Sequence, residues 1–271
     1  MPTVYEFAIA QSTLNFPRSF AEFADPPRLA HGIRALGISK NGGARVASRL
    51  QHVTNRSADC DITTWGDTNL YGAVASVFAL AQVEPKDLDF LTGEHMYSRW
   101  VDFSPPSSVR VDFERPFSTP PKVVVFLNYM EFEKGHNWRV MTTATDIDVN
   151  GFTLDLKTWS DTSFNAAQAG WIAYPEDRGQ IFSTSVNTTD VPPSNQRPAE
   201  LWSGKIKLNT AEFRKKPSVF IALNSLDIGC KSDLRVKVSV SNVTTTGLVW
   251  HIETWSDTVF NSAGATIIAF N

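Results

Sequence analysis

Cysteine is nearly absent: Cys60 and Cys230 are the only two in 271 residues, and they hold no equivalent places in the repeat described below. A secreted domain of this size more often carries paired cysteines, so reduced thiols and a cytoplasmic origin are expected. The opening Met1-Pro2-Thr3-Val4-Tyr5-Glu6-Phe7 has no basic n-region and no long apolar core. That predicts no signal peptide, and any release would use a non-classical route. On the same ground the sequons at Asn55, Asn187 and Asn242 are expected to be inert. No stretch approaches the ~20 apolar residues that cross a bilayer, so membrane insertion is not expected. With a net charge of −3, neither nucleic acid nor an acidic membrane is an expected partner.

Other chemistry is missing too. His31, His52, His95, His136 and His251 are scattered without ligand spacing, so no metal or cofactor is expected. The glycines of Gly37–Gly43 lack the closing Lys-Ser/Thr of a phosphate loop. No pair of carboxylates recurs as a glycosidase dyad would, and an enzyme is not expected. No segment of helical length sustains a 3.6-residue period.

What the chain does have is an internal repeat. Thr158-Trp159-Ser160-Asp161-Thr162 returns as Thr254-Trp255-Ser256-Asp257-Thr258, an offset of 96. At that offset Phe117–Tyr174 aligns without a gap on Phe213–Phe270. A more diverged copy lies upstream at an offset of 94, where Thr64-Trp65-Gly66-Asp67-Thr68 meets Thr158–Thr162. Arg45-Val46 falls on Arg139-Val140, which in turn falls on Arg235-Val236. Three tandem units are expected, over residues 1–81, 90–175 and 176–271, with the first shortened at its start.

Each unit reads as β-strands. Prolines open the apolar run Lys122–Leu127, and alternating segments follow at Trp138–Ala144 and Gly151–Trp159. Short strands punctuated by Gly, Pro, Asn and Asp predict an all-β sandwich per unit. Alternation puts Phe152, Leu154 and Leu156 inward, and Thr153, Asp155, Lys157 and Trp159 outward. It likewise puts Asp61, Thr63 and Trp65 on one face, and His251, Glu253 and Trp255 on another. Arg45, Arg139 and Arg235 fall on outward faces of their strands. Every unit therefore presents an Arg and a Trp, with an Asp two residues after the Trp.

That trio suits a sugar. The C–H face of a pyranose packs on indole, and its hydroxyls accept from Arg and donate to Asp in charge-assisted hydrogen bonds. The alternative buries the Trp under a neighbouring unit and leaves Arg–Asp as a structural ion pair.

These residues resemble the H-type lectins, the group of the snail agglutinin and the C-terminal domain of the slime-mould discoidins. The likeness rests on the Pro-Pro-Lys-Val-Val-Val strand start and on Leu223-Asn224-Ser225-Leu226-Asp227. It extends to Leu234-Arg235-Val236, the turns at Gly151 and Gly247, and Thr-Trp-Ser-Asp-Thr. It covers the second and third units fully and the first in part.

The resemblance implies six-stranded antiparallel sandwiches that assemble as trimers. Such trimers bind N-acetylgalactosamine or galactose, on glycoproteins or glycolipids, in metal-free clefts between protomers. It implies sugar-contacting residues at Arg139, Trp159, Ser160, Asp161 and Asn165 in the second unit, and at Arg235, Trp255, Ser256, Asp257 and Asn261 in the third. In the first unit the matching residues are Arg45, Trp65, Asp67 and Tyr71, with Gly66 replacing the Ser. Asn165 and Asn261 depart from the family's aromatic at that position, which Tyr71 retains. A loop acid from the adjacent protomer is also implied, with Asp102, Asp190 and Asn195 as candidates.

Three fused copies of a trimer-forming unit predict an intrachain pseudo-threefold trimer, either as a monomer or within a higher oligomer. The expected function is multivalent glycan binding, as in adhesion or agglutination. A structural or protein-interaction scaffold that has lost its sugar is the alternative.

Overall fold

The computed structural model describes residues 3–9, 14–19, 23–81, 90–99, 107–191, 201–209 and 213–271. The first repeat forms β1 (Thr3–Ile9), β2 (Leu14–Ser19), β3 (Arg28–Ile38), β4 (Ala44–Gln51), β5 (Ser57–Thr63) and β6 (Leu70–Leu80). The second forms β7 (Leu91–Ser98), β8 (Ser107–Asp112), β9 (Lys122–Phe132), β10 (Trp138–Thr145), β11 (Gly151–Lys157) and β12 (Phe164–Tyr174). The third forms β13 (Ile181–Asn187), β14 (Leu201–Lys207), β15 (Ser218–Ile228), β16 (Leu234–Thr244), β17 (Gly247–Glu253) and β18 (Phe260–Phe270). The all-β expectation holds, with six strands per repeat. The first repeat is not short of a strand. Its shortness lies in the spacing of β1 and β2, four residues apart against eight for β7 and β8 and thirteen for β13 and β14.

The sheets do not follow the repeats. Their strand orders are β1-β6-β3-β16-β17-β14, β13-β18-β15-β10-β11-β8 and β2-β5-β4-β9-β12-β7. Each repeat divides its strands three and three between two sheets, and a neighbour completes each sheet. The joins are antiparallel and equivalent: the third strand of one repeat pairs with the fourth strand of another. Arg45 lies opposite Glu131, Arg139 opposite Asp227, and Arg235 opposite Gly37. First joins second, second joins third, and third joins first, so the ring closes within one chain and leaves none of these inner edges unpaired.

A bulge at one position of each third strand decides which residues face the seams. The pairing skips Arg34 in β3, Asn128 in β9 and Asn224 in β15. One extra residue inverts the alternation. Val123, Val125 and Leu127 enter the sandwich core before the bulge, and Met130 and Phe132 enter it afterwards. Tyr129 and Glu131 are thereby turned to the seam. In β15 the same shift buries Leu226 and Ile228 and turns out Ser225 and Asp227.

All three repeats also share one apolar cluster, built from Ala30, Val124 and Phe220, from Phe126 and Ala222, from Phe78, Ile172 and Ile268, and from Leu80, Tyr174 and Phe270. Within each set the positions are equivalent by the repeat offsets, and Gly32 completes the set of Phe126 and Ala222. Bulk is unequal by design of the sequence: a Cβ on Gly32 would stand 2.5 Å from the Ala222 Cβ and 2.9 Å from the Phe126 ring. Ser76 Oγ donates to the Ile221 carbonyl at 3.0 Å, and Thr266 Oγ1 to that of Val125 at 2.6 Å, tying repeats together at equivalent points. The equivalent residue in the second repeat is Gly170, where a Cβ would meet the Phe126 ring at 2.5 Å.

Candidate functional site

The Thr-Trp-x-Asp-Thr motif forms the turn from the fifth strand of a repeat to its sixth. Thr64 and Thr254 donate to the carbonyls of Arg45 and Arg235 at 2.8 and 2.7 Å. Thr68 and Thr258 donate to the carbonyls of Gly43 and Asp233 at 2.7 and 2.8 Å. In the second repeat the matching Thr158 and Thr162 hydroxyls are buried without a partner. The residue after each Trp adopts left-handed backbone, with φ of 65° at Gly66, 57° at Ser160 and 61° at Ser256. Only the first repeat puts glycine there, the residue that takes this conformation without strain. In the first and third repeats the threonines thus latch the turn to the start of the fourth strand, and in all three the motif brings Asp beside Arg.

Asp67, Asp161 and Asp257 each hold their own repeat's arginine, Arg45, Arg139 and Arg235. The three arginines do not stand free on an outward face, as alternation implies. Their side chains are only 13%, 11% and 15% exposed, because the neighbouring repeat covers them. The Gly43 N–H, then Arg45, hold the Asp67 carboxyl below its ordinary range, and Arg139 and Arg235 do the same for Asp161 and Asp257. The structural ion pair is therefore present, yet the indoles are not covered alike. Trp159 is 38% exposed and Trp255 40%, while Trp65 packs against Tyr129 of the second repeat with ring centroids 5.0 Å apart.

Each arginine meets different partners across its seam. At the second–third seam, Arg139 Nε donates to Asp227 at 3.0 Å, and Asn261 donates to the same oxygen at 2.8 Å. At the first–second seam, Arg45 faces Glu131 at 3.5 Å and Glu133 at 3.6 Å, and Asn165 donates to both acids. At the third–first seam, Arg235 pairs with Asp233 at 2.6 Å and lies over the Tyr71 ring at 5.6 Å. The Tyr71 hydroxyl and the Lys40 N–H both donate to Asp233, at 3.1 and 3.0 Å.

Asn165, Asn261 and Tyr71 lie six residues beyond a Trp, but each belongs with the arginine of a different repeat. Asn165 sits with Arg45, Asn261 with Arg139 and Tyr71 with Arg235. The bulged third strands also supply Glu131 and Asp227, with Glu133 just beyond the end of β9, none of which the alternation argument reaches. Asp61 and Asp155 keep the face that alternation gives them, opposite the core, but are buried on it, Asp155 beneath Ser108 and Thr145.

Of the loop candidates, Asp190 accepts from the Asn187 N–H at 2.7 Å and caps the short 3₁₀ turn Thr188–Asp190. It borders a groove of about 440 Å³ beside the second–third seam, with Met141, Asn187 and Ser225. Asp102 and Asn195 lie outside the described residues. A larger groove, about 700 Å³, runs beside the first–second seam. On its wall the buried His31 bridges Ser48 at 2.9 Å and Glu94 of the second repeat at 2.6 Å. Val125 and Ile221 occupy the equivalent place in the other repeats, so sequence comparison alone gives His31 no partner. Neither Cys60 nor Cys230 is in a disulfide. Among the described residues, no group of three or more His, Cys, Asp or Glu side chains is arranged to hold a metal ion.

The family model for the H-type lectin domain matches this chain three times, over residues 11–80, 108–174 and 205–270. The chain is also similar to "ATP synthase subunits region ORF 7" of Fuscovulum blasticum, at 32% identity over 87 residues. That match spans 31% of this chain and 72% of the relative, whose name refers to a gene region.

Proposed function

Because the chain belongs to the H-type lectin domain family, we propose that it is a multivalent lectin for glycans ending in galactose or N-acetylgalactosamine. The observation that carries this reading is the pairing of an exposed indole with a seam-bound Arg–Asp couple at Trp159 and at Trp255. The indole offers a flat apolar surface for the C–H face of the sugar. Arg and Asp, already locked together, present donors and acceptors at fixed positions, so little order is lost on binding. Each site holds a sugar weakly, and several sites on one particle raise retention on a glycan-bearing surface. One chain supplies both halves of every seam, so the active particle is the monomer.

A scaffold reading is favoured at the first–second seam. There Tyr129 covers Trp65, and three carboxylates surround Arg45. Two live sites per chain follow. Calorimetric titration with N-acetylgalactosamine is expected to saturate at two per chain. Heat no greater than dilution, with galactose as well, would leave the scaffold reading for the whole protein.

A further inference from the structure

The three seams form an internal comparison in which one architecture carries different charges. By the repeat offsets, positions 37, 131 and 227 are equivalent, as are 39, 133 and 229, and 40, 134 and 230. These are the residues that a neighbouring repeat brings against the arginine. The second–third seam receives Asp227, Gly229 and Cys230; the first–second seam receives Glu131, Glu133 and Lys134. The third–first seam receives Gly37, Ser39 and Lys40, a lysine and no carboxylate.

The local structure agrees with that reversal. Asp227 and Glu131 lie opposite Arg139 and Arg45 in the ladder, and Gly37 lies opposite Arg235. Arg235 takes its second carboxylate from Asp233 of its own repeat, and that acid also accepts from Tyr71 and from the Lys40 N–H. Asp257 is held by Arg235. Both acids are thus committed within the protein. The exposed Lys40 reaches over the seam to the Lys231 carbonyl at 3.1 Å, and its charge is felt at Asp257. Two exposed aromatic rings, Trp255 and Tyr71, belong to the same site.

We propose that the third–first seam selects a galactose-type sugar bearing an acidic group, a sulfate ester or a carboxylate, with the ring on Trp255 and the anion at Lys40. The inference rests on the lectin reading. At the other two seams a carboxylate from the neighbour stands where this anion would approach, and repels it. A lysine ammonium binds such an anion as a compact charge with three donors, with a strength that salt reduces.

The test titrates the intact protein with galactose, galactose 6-sulfate and a sialylated lactose, the last two separating sulfate from carboxylate as the anion. One site per chain is expected to prefer at least one acidic ligand over galactose by about tenfold, less at high salt. Lys40→Ala and Trp255→Ala should abolish that preference, Lys40→Arg should keep it, and Trp159→Ala should leave it intact. Gly37→Asp restores the neighbour's carboxylate and should also abolish it. A Cβ there meets the Tyr71 Cβ at 3.4 Å, an ordinary contact, so that variant is expected to fold. Equal binding of acidic and neutral sugars would overturn the proposal, as would a preference that survives Lys40→Ala or disappears with Trp159→Ala. Failure of every sugar at every site would overturn the lectin reading with it.

Discussion

The Arg139 guanidinium joins two repeats: one nitrogen holds Asp161 of its own turn, and Nε donates to Asp227 of the third repeat at 3.0 Å. Both acids depend on the planar fork of arginine, which aims donors in two fixed directions. Arg139→Ala is expected to destabilise the protein by about 1.5–3 kcal/mol, because Asp227 is largely covered and keeps only Asn261. Arg139→Lys should recover part of that stability and none of the sugar binding, since an ammonium lacks the planar fork that holds the two carboxylates in fixed positions. Thermal unfolding beside calorimetry separates the two effects, and full binding by the Lys variant would remove Arg139 from the site.

Trp159 and Trp255 should behave differently from Trp65. The first two keep 38% and 40% of their surface exposed, so Trp159→Ala and Trp255→Ala should each remove one sugar site and lower the melting temperature less than Trp65→Ala does. Trp65 packs on Tyr129 across a seam, and Trp65→Ala should cost about 1–2 kcal/mol without changing the stoichiometry. Retention on galactose resin and a melting curve for each variant check this. Unfolding of the Trp159 and Trp255 variants would favour a scaffold.

The strands and the motif were legible in the sequence because alternation and the repeat offset are local signals. Phe152, Leu154 and Leu156 enter the core as their spacing implies. Sheet membership was not legible, because an offset says which residues are equivalent and not which touch. The sixth strand pairs with the third of its own repeat, and the third pairs with the preceding repeat's fourth. That geometry carries Asn165 away from Trp159 and beside Arg45. The bulge hid the rest. Leu127-Asn128 and Leu223-Asn224 were visible as a recurring pair, yet nothing in alternation marks Asn as the residue that inverts it. Asp227 and Glu131 therefore read as core-facing until the bulge is placed.

Gly32 tests whether the shared core is matched in bulk. Gly32→Ala puts a methyl 2.5 Å from the Ala222 Cβ and should destabilise by about 1–3 kcal/mol. Ala222→Gly removes the opposing methyl. The double variant should therefore recover much of the loss, a coupling that independent sites do not show. Additive effects in a double-mutant cycle by denaturant unfolding would mean that the first and third repeats do not meet there.

Acid should act late. Asp67, Asp161 and Asp257 have folded-state pKa values below their ordinary range, so their ion pairs contribute stability above the unfolded value of about 3.9 and lose it as pH falls through the folded one. Sugar binding followed by tryptophan fluorescence should stay flat from pH 7 to about pH 5 and fade below about pH 4. A midpoint near pH 6.5 would instead assign control to a group outside these ion pairs.

A single repeat should not survive excision. Residues 90–175 alone would leave β9 without β4 and β10 without β15, two unpaired inner edges on one small sandwich. They would also expose Phe90, Phe126, Ile172 and Tyr174, which the other repeats cover. Self-assembly into threes offers no clean escape, because three copies would place three phenylalanines where the whole chain has Gly32, Phe126 and Ala222. Sedimentation should show the full chain as a 30.1 kDa monomer and the excised repeat as aggregate. A folded monomer from residues 90–175 would mean that the shared sheets are not needed for stability, and a full chain that sediments as a trimer would place the seams between molecules.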